Sequence, residues 1–232
     1  MRTVTEWSLE FDLLWNNIFS DKAPGLNEYE KSVFLTNAQE AVIVALYRGT
    51  LLEPFESTEE VTAYLGMLVK QADCTPADES EYKISENSVL YENPEDMLFR
   101  TWEGCTVEND CGDDVQVPVV PITQDEYWKI IGNPFRGANG RRVLRLSYQK
   151  DSTGDDPAEY GVQTYSELIS KNTISLYTVR YIKRPDPIIL AELSGGLEIH
   201  GQTEPSTCKL DEGLHQTILA EAVRMAKAVW NT

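Results

Sequence analysis

Apolar residues recur at helical spacing through the first third of the chain. Trp7, Phe11, Leu14, Trp15 and Ile18 mark one face of a run over residues 4–19. Thr3 followed by Glu6 has the form of a capping box, so the helix is predicted to open there. Ala23-Pro24-Gly25 ends it. A second helix is predicted from Asn27, a capping residue, to Tyr47, with Glu28 and Glu30 placed to complement the helix dipole. Val33, Phe34, Ala38, Ala41, Val42, Ala45 and Leu46 are its apolar positions, and Arg48-Gly49 stops it. A third is capped by Ser57, with Glu60 completing the box, and carries Val61, Tyr64, Leu65, Leu68 and Val69. Three amphipathic helices in succession need a common surface to bury their apolar faces.

The middle of the chain changes pattern. Residues 88–91, 97–102 and 115–120 are short runs rich in β-branched or aromatic residues, the composition of strands. Pro118 and Pro121 cannot donate to a ladder, which predicts an edge or irregular strand for the last run. Residues 109–114 form a turn, 123–131 a short helix capped by Thr123, and 141–148 a strand. Of two acidic stretches, 75–81 reads as a linker or loop and 151–159 as a loop. A strand over 175–183 leads through Lys183-Arg184-Pro185-Asp186-Pro187 to the apolar Ile188, Ile189 and Leu190. After Ser194-Gly195-Gly196 a further strand is predicted over 197–200, then an amphipathic helix over 211–230. The expected fold is α+β: an N-terminal helical bundle, a mixed, mostly antiparallel β domain and a C-terminal helix. The regions are 1–74 (helical), 75–206 (β-rich) and 207–232, the last packed on the helical region or on a neighbouring subunit.

Composition narrows the classes of function. The 232 residues, 41% of them hydrophobic, suffice for a sizeable core. No apolar run approaches the roughly 20 residues that cross a bilayer, and residues 1–6 lack the layout of a signal peptide, so a cytoplasmic protein is expected. The formal net charge is -18, from 38 acidic and 20 basic residues. That balance gives solubility, or a surface past which DNA slides without sticking. Cys74, Cys105, Cys111 and Cys208 form no Cys-x-x-Cys pair and stand at no metal spacing from His200 or His215, so free thiols and no structural zinc are expected.

Candidate chemistry is sparse. Neither histidine is accompanied by a Gly-x-Ser-x-Gly nucleophile motif, so each reads as a packing or surface residue. Asp110, Asp113 and Asp114 could hold a hard cation through carboxylate oxygens, but their spacing is not that of an EF-hand. Gly137-Ala138-Asn139-Gly140 lacks the features of a phosphate loop. The positive anomaly is a cluster of Arg136, Arg141, Arg142 and Arg145 in an acidic chain. These pair with local acids, or offer a basic patch to an acidic neighbour such as another copy of the chain. Lys183 and Arg184 join them as candidate interface residues. Of the five tryptophans, Trp7, Trp15, Trp102 and Trp128 are expected in the core and Trp230 at an interface.

Several blocks together resemble a known family. Asn16-Asn17-Ile18, Asp21-Lys22-Ala23-Pro24-Gly25-Leu26-Asn27-Glu28-Tyr29-Glu30-Lys31-Ser32 and Phe34-Leu35-Thr36-Asn37-Ala38-Gln39-Glu40 resemble the N-terminal region of virion neck proteins of crAss-like podoviruses. Arg180-Tyr181-Ile182-Lys183-Arg184-Pro185-Asp186-Pro187-Ile188-Ile189, with Leu210-Asp211-Glu212 and His215, resembles their C-terminal region. Asn133-Pro134-Phe135-Arg136 and Arg141-Arg142 fall between. The resemblance implies a head-to-tail connector protein without catalytic residues, metal or cofactor. It implies a homo-oligomeric ring, commonly twelvefold, meeting the portal protein and other neck or tail rings. DNA would pass through the lumen without specific binding, and no membrane would be involved. The protein would be assembled in the host cytoplasm and reside in the virion. Two other readings stand beside it: a cytoplasmic metal-dependent hydrolase using its acidic residues, and a monomeric adaptor for a host protein.

Overall fold

The computed structural model describes residues 2–16, 25–50, 57–77, 83–109, 111–133, 135–152 and 161–230. The chain forms two compact units. One combines residues 1–68 with 184–232, and the other is 69–183.

The first unit is helical. Helix α1 (Val4–Asn16) buries Trp7, Phe11 and Trp15 on one face, as its spacing predicts. The predicted extension over 17–19 lies outside the described residues. Helix α2 (Glu28–Tyr47) opens with a complete capping box between Asn27 and Glu30. Its fully buried residues lie on one face, and they include Lys31, Ser32, Thr36 and Gln39. Lys31, Ser32 and Thr36 are satisfied there, whereas Gln39 donates through Nε2 and leaves its buried Oε1 without a partner among the described residues. Lys31 Nζ meets Asp12 at 2.7 Å and Glu28 at 3.0 Å, joining α2 to α1.

Ser32, Thr36 and Gln39 form a polar stripe against the chain that returns from residue 184. The Leu190 amide donates to Ser32 Oγ at 2.9 Å, the Ile188 amide to Thr36 Oγ1 at 3.1 Å, and Gln39 Nε2 to the Asp186 carbonyl at 2.9 Å. The stripe supplies hydrogen bonds that a neighbouring strand would otherwise supply, so Ile188, Ile189 and Leu190 are buried without belonging to a sheet. Helix α3 (Ser57–Leu65) passes into one 3-10 turn, Gly66–Leu68. The cap predicted at Ser57 rests on side chains outside the described set. Helix α5 (Glu212–Trp230) packs on α1 and α2 through Leu214, Ile218, Leu219, Ala222 and Val223. His215, 2% exposed, lies 5.1 Å from the Trp7 ring.

Two expectations are corrected in this neighbourhood. Val69, placed in the third helix, begins a strand, because Gly66 weakens the helix and the following residues find a pairing partner. Residues 197–200 form no strand: Ile199 makes one isolated bridge with Gln202 around the turn at His200 and Gly201. Gly195, Gly196, His200 and Gly201 all have positive φ, so the chain cannot run extended there.

Among the described residues the second unit holds eight strands in the order β1-β8-β4-β5-β6-β7-β3-β2. They are β1 (Val69–Asp73), β2 (Pro76–Ala77), β3 (Ser88–Glu92), β4 (Met97–Glu108), β5 (Asp114–Pro121), β6 (Val143–Ser152), β7 (Gly161–Ile169) and β8 (Ile174–Lys183). All pairs are antiparallel except β5 with β6, which are joined through α4 (Gln124–Ile130). This is the mixed, mostly antiparallel sheet expected.

The sheet curls onto itself. β1 pairs with β8 at one end of the order and β2 with β3 at the other. Yet β1 and β2 are halves of one run, 69–77, that changes partner at Cys74 and Thr75. Tyr91 of β3 and Tyr177 of β8 bring their rings to 5.2 Å in the core. Val107, Val117, Val143, Leu168 and Val179 fill the same interior.

β5 changes partner in the same way. Residues 114–118 pair with β4, whereas 119–121 pair with β6. Pro118, which has no amide proton to donate, stands at the switch. The strand is irregular as its prolines predict, but it is interior rather than an edge. Removing one member of the polar stripe on α2 tests its contribution. Thr36→Val leaves the Ile188 amide without its acceptor and is expected to cost about 1–3 kcal/mol. Urea unfolding should show an earlier midpoint with unchanged slope.

Candidate functional site

Where β5 leaves β4, the wall of the β unit opens into a cleft of about 660 Å³ lined by Arg100, Trp102, Glu103, Pro118 and Arg145. Its floor is charged. Arg145 Nε stands 2.8 Å from Glu103 Oε2, Arg100 Nη1 stands 3.4 Å from it, and Tyr177 Oη donates to it at 2.8 Å. Arg100 Nη2 also donates to Asn93 Oδ1 at 2.7 Å and Ser166 Oγ at 2.8 Å. One carboxylate therefore serves two guanidinium groups. Burial pulls Arg100 below its usual range, an effect reinforced by Arg145 and opposed by Tyr177 and Glu103. The lining includes no histidine, cysteine or second carboxylate, and Glu103 is occupied by its three partners. The cleft has the chemistry of a structural ion-pair network rather than of acid–base catalysis.

The four clustered arginines separate by role. Arg145 is turned into the cleft floor with its side chain 13% exposed. Arg142 donates to the carbonyls of Gly137 and Phe135 and so braces the turn between α4 and β6. Arg136 and Arg141 are exposed, and neither pairs with a carboxylate among the described residues. Arg184 is half exposed, 3.4 Å from Glu40, while Lys183 ends β8 partly buried. The Trp230 side chain and Asp110 lie outside what is described. Asp113 and Asp114 flank a turn organised by Asn109 Oδ1, which accepts from the Cys111 and Asp113 amides.

The tryptophans divide differently from expectation. Trp7 and Trp15 are core residues, at 0% and 2% exposure, but Trp102 and Trp128 are 45% and 64% exposed. The Trp102 ring lies over Gly104, where an added Cβ would come within 2.4 Å of Cη2. Trp128 is outside because Tyr127, its neighbour on α4, takes the inward position against Leu144, Leu146 and Ile169. The alternation of Tyr127 and Trp128 could have shown that one of the two must face out. All four cysteines are free, and burial pushes Cys74 and Cys208 up to about 11 and Cys105 to about 12.

Two proteins of Bacteroides phage crAss001 are similar to this chain. Its ring protein 3 is 37% identical over 230 residues, covering 97% of this chain and 94% of that protein. Its ring protein 4/5 is 32% identical over 246 residues, covering 98% and 93%. The class is thereby defined: a structural protein of a phage tail, which assembles into a ring and is not an enzyme. A model of the phage tail ring protein 3/4 family matches residues 2–232, and the chain belongs to that family. The resemblance to crAss-like virion proteins drawn from the two ends of the sequence holds over nearly its whole length.

Two outcomes are expected from the buried groups. Glu103→Gln leaves two guanidinium groups without a counter-ion and should cost about 3–5 kcal/mol in denaturant unfolding. Burial first, then nearby Cys105 and Cys74, pushes Tyr91 up to about 12, and burial with the Asp96 hydrogen bond does the same for Tyr181. Lys31 is raised too: burial lowers it, but its hydrogen bonds to Asp12 and Glu28 outweigh that. Each folded value lies above the unfolded one, so the stability they contribute is complete below about 10 and declines as pH rises toward 12. Melting temperature should fall across that window, with tyrosinate absorbance appearing at the melt rather than before it.

Proposed function

We propose that the protein forms a ring in the neck of the virion, between portal and tail, and that DNA traverses its lumen during packaging and ejection. Membership of a tail ring family carries this reading, and the net charge of -18 supports it. A strongly acidic lumen repels phosphate and lets DNA move without being held. The ring is built of about twelve copies in closed rotational symmetry and stacks against the portal protein and other ring proteins. Arg136, Arg141, Arg142, Arg145, Lys183, Arg184 and Trp230 are the proposed contact residues, with Arg136 and Arg141 carrying the exposed charge and Arg142 and Arg145 holding the surface in shape.

Electron microscopy of purified virions with rotational averaging tests the placement. Density for this chain in a ring below the portal, enclosing the DNA path, is the expected result. Density confined to the distal tail, or absence from particles, would overturn it. Arg136→Glu combined with Arg141→Glu should leave the melting temperature unchanged and reduce incorporation into particles.

A further inference from the structure

A ring subunit needs two different surfaces that fit each other, because each copy meets one neighbour on either side. Among the described residues the most exposed aromatic surface lies on α4 and the turn after it. Trp128 is 64% exposed, Ile131 56% and Phe135 86%. Trp128 and Ile131 are three residues apart on one helical face, and Phe135 follows within the turn. Leaving these side chains in water has an unfavourable hydration cost, and α4 is seated on β6 and β7 without them, by Tyr127 and the partly buried Ile130.

The turn is also held ready. Asn133 Oδ1 accepts the Phe135 amide at 2.9 Å, and the Arg142 guanidinium donates to the carbonyls of Phe135 and Gly137. Phe135 is thus presented on a fixed backbone, so docking it loses little conformational entropy. Lys129, Arg136 and Arg141, all exposed, flank it. Aromatic residues with arginines have the composition of an interface hot spot.

A matching surface exists on the same chain. Helix α1 exposes Leu9 at 64% and Leu13 at 62%, one turn apart. Its sequence holds Glu6, Glu10 and Asp12 and no basic residue; within the subunit Asp12 pairs with Lys31, Glu10 lies 3.0 Å from Arg2, and Glu6 accepts the Thr3 amide. The first surface is aromatic, with Lys129, Arg136 and Arg141 beyond the exposed Asp125 and Glu126 of the helix start, and the second is aliphatic with an acidic surround. We propose that the α4 turn of one copy docks on α1 of the next, Phe135 and Trp128 packing on Leu9 and Leu13, with Lys129, Arg136 and Arg141 facing the acids of α1. This rests on the ring reading above and names the contact that closes it. The partner is a second copy of this chain, because both halves of the complementary pair are present in each subunit.

Zero-length carbodiimide cross-linking of intact virions tests the contact. The reagent joins an amine to a touching carboxylate, so Lys129 should couple to Glu6 or Glu10 of a neighbour. The expected product runs on a denaturing gel at twice 26.2 kDa, with that junction found by mass spectrometry of the digest. Lys129→Gln should abolish it. Absence of the junction from particles that contain the protein overturns the proposal. So does Lys129 joined to a different virion protein. Protein missing from virions overturns the ring reading itself. Phe135→Ala and Leu13→Ala, both surface changes, should each leave the melting temperature unaltered and weaken incorporation by at least about tenfold. Normal incorporation of both variants would also overturn it.

Discussion

The helical unit depends on one polar match. Ser32, Thr36 and Gln39 on α2 present hydroxyls and an amide to the backbone of residues 186–190. A helix cannot ordinarily lie beside an extended segment without leaving that segment's amides and carbonyls unpaired. Here the helix side chains substitute for a neighbouring strand, and Ile188, Ile189 and Leu190 can then be buried completely or nearly so. The match joins parts of the chain about 150 residues apart in sequence and holds the returning segment against α2.

The β unit is governed by a related constraint, the elimination of free strand edges. Its sheet would have two ends, but one run of chain, 69–77, serves as both. The other change of partner falls at Pro118 in β5, at a residue with no amide hydrogen. The wall separates there, and the opening is filled in part by Arg100, Glu103 and Arg145. Charge placed at the split is stabilised by internal pairing, so the opening is shaped without being a reaction centre.

Local chemistry was readable in the sequence, and long-range chemistry was not. Asn27 and Thr123 open their helices as caps, as predicted, and Glu30 and Glu126, read only as first-turn acids, complete a capping box with each. The prolines of β5 correctly signalled an irregular strand, but only pairing across the fold shows that it is interior. Residues 197–200 have strand-like composition, and the left-handed backbone around them decided otherwise. The stripe on α2 reads in sequence as an imperfect amphipathic face, because its partner is backbone and leaves no side-chain pattern. The arginine cluster was visible, but its division into exposed, bracing and buried members was not. Nor was the outward face of Trp128, which follows from the competition with Tyr127 for one inward position on a short helix.

The discontinuity of the helical unit has a consequence for the order of events during synthesis. The β unit is one uninterrupted stretch, 69–183, whose first and last strands are paired, Val69 facing Ile182. It can therefore complete as soon as that stretch has left the ribosome. The helices made before it cannot, because Ser32, Thr36 and Gln39 await residues 186–190, and the apolar faces of α1 and α2 await α5. The N-terminal quarter of the chain is thus made first and finished last. On the contact proposed above, a subunit offers a complete α1 to its neighbour only after its own C-terminal helix has been made.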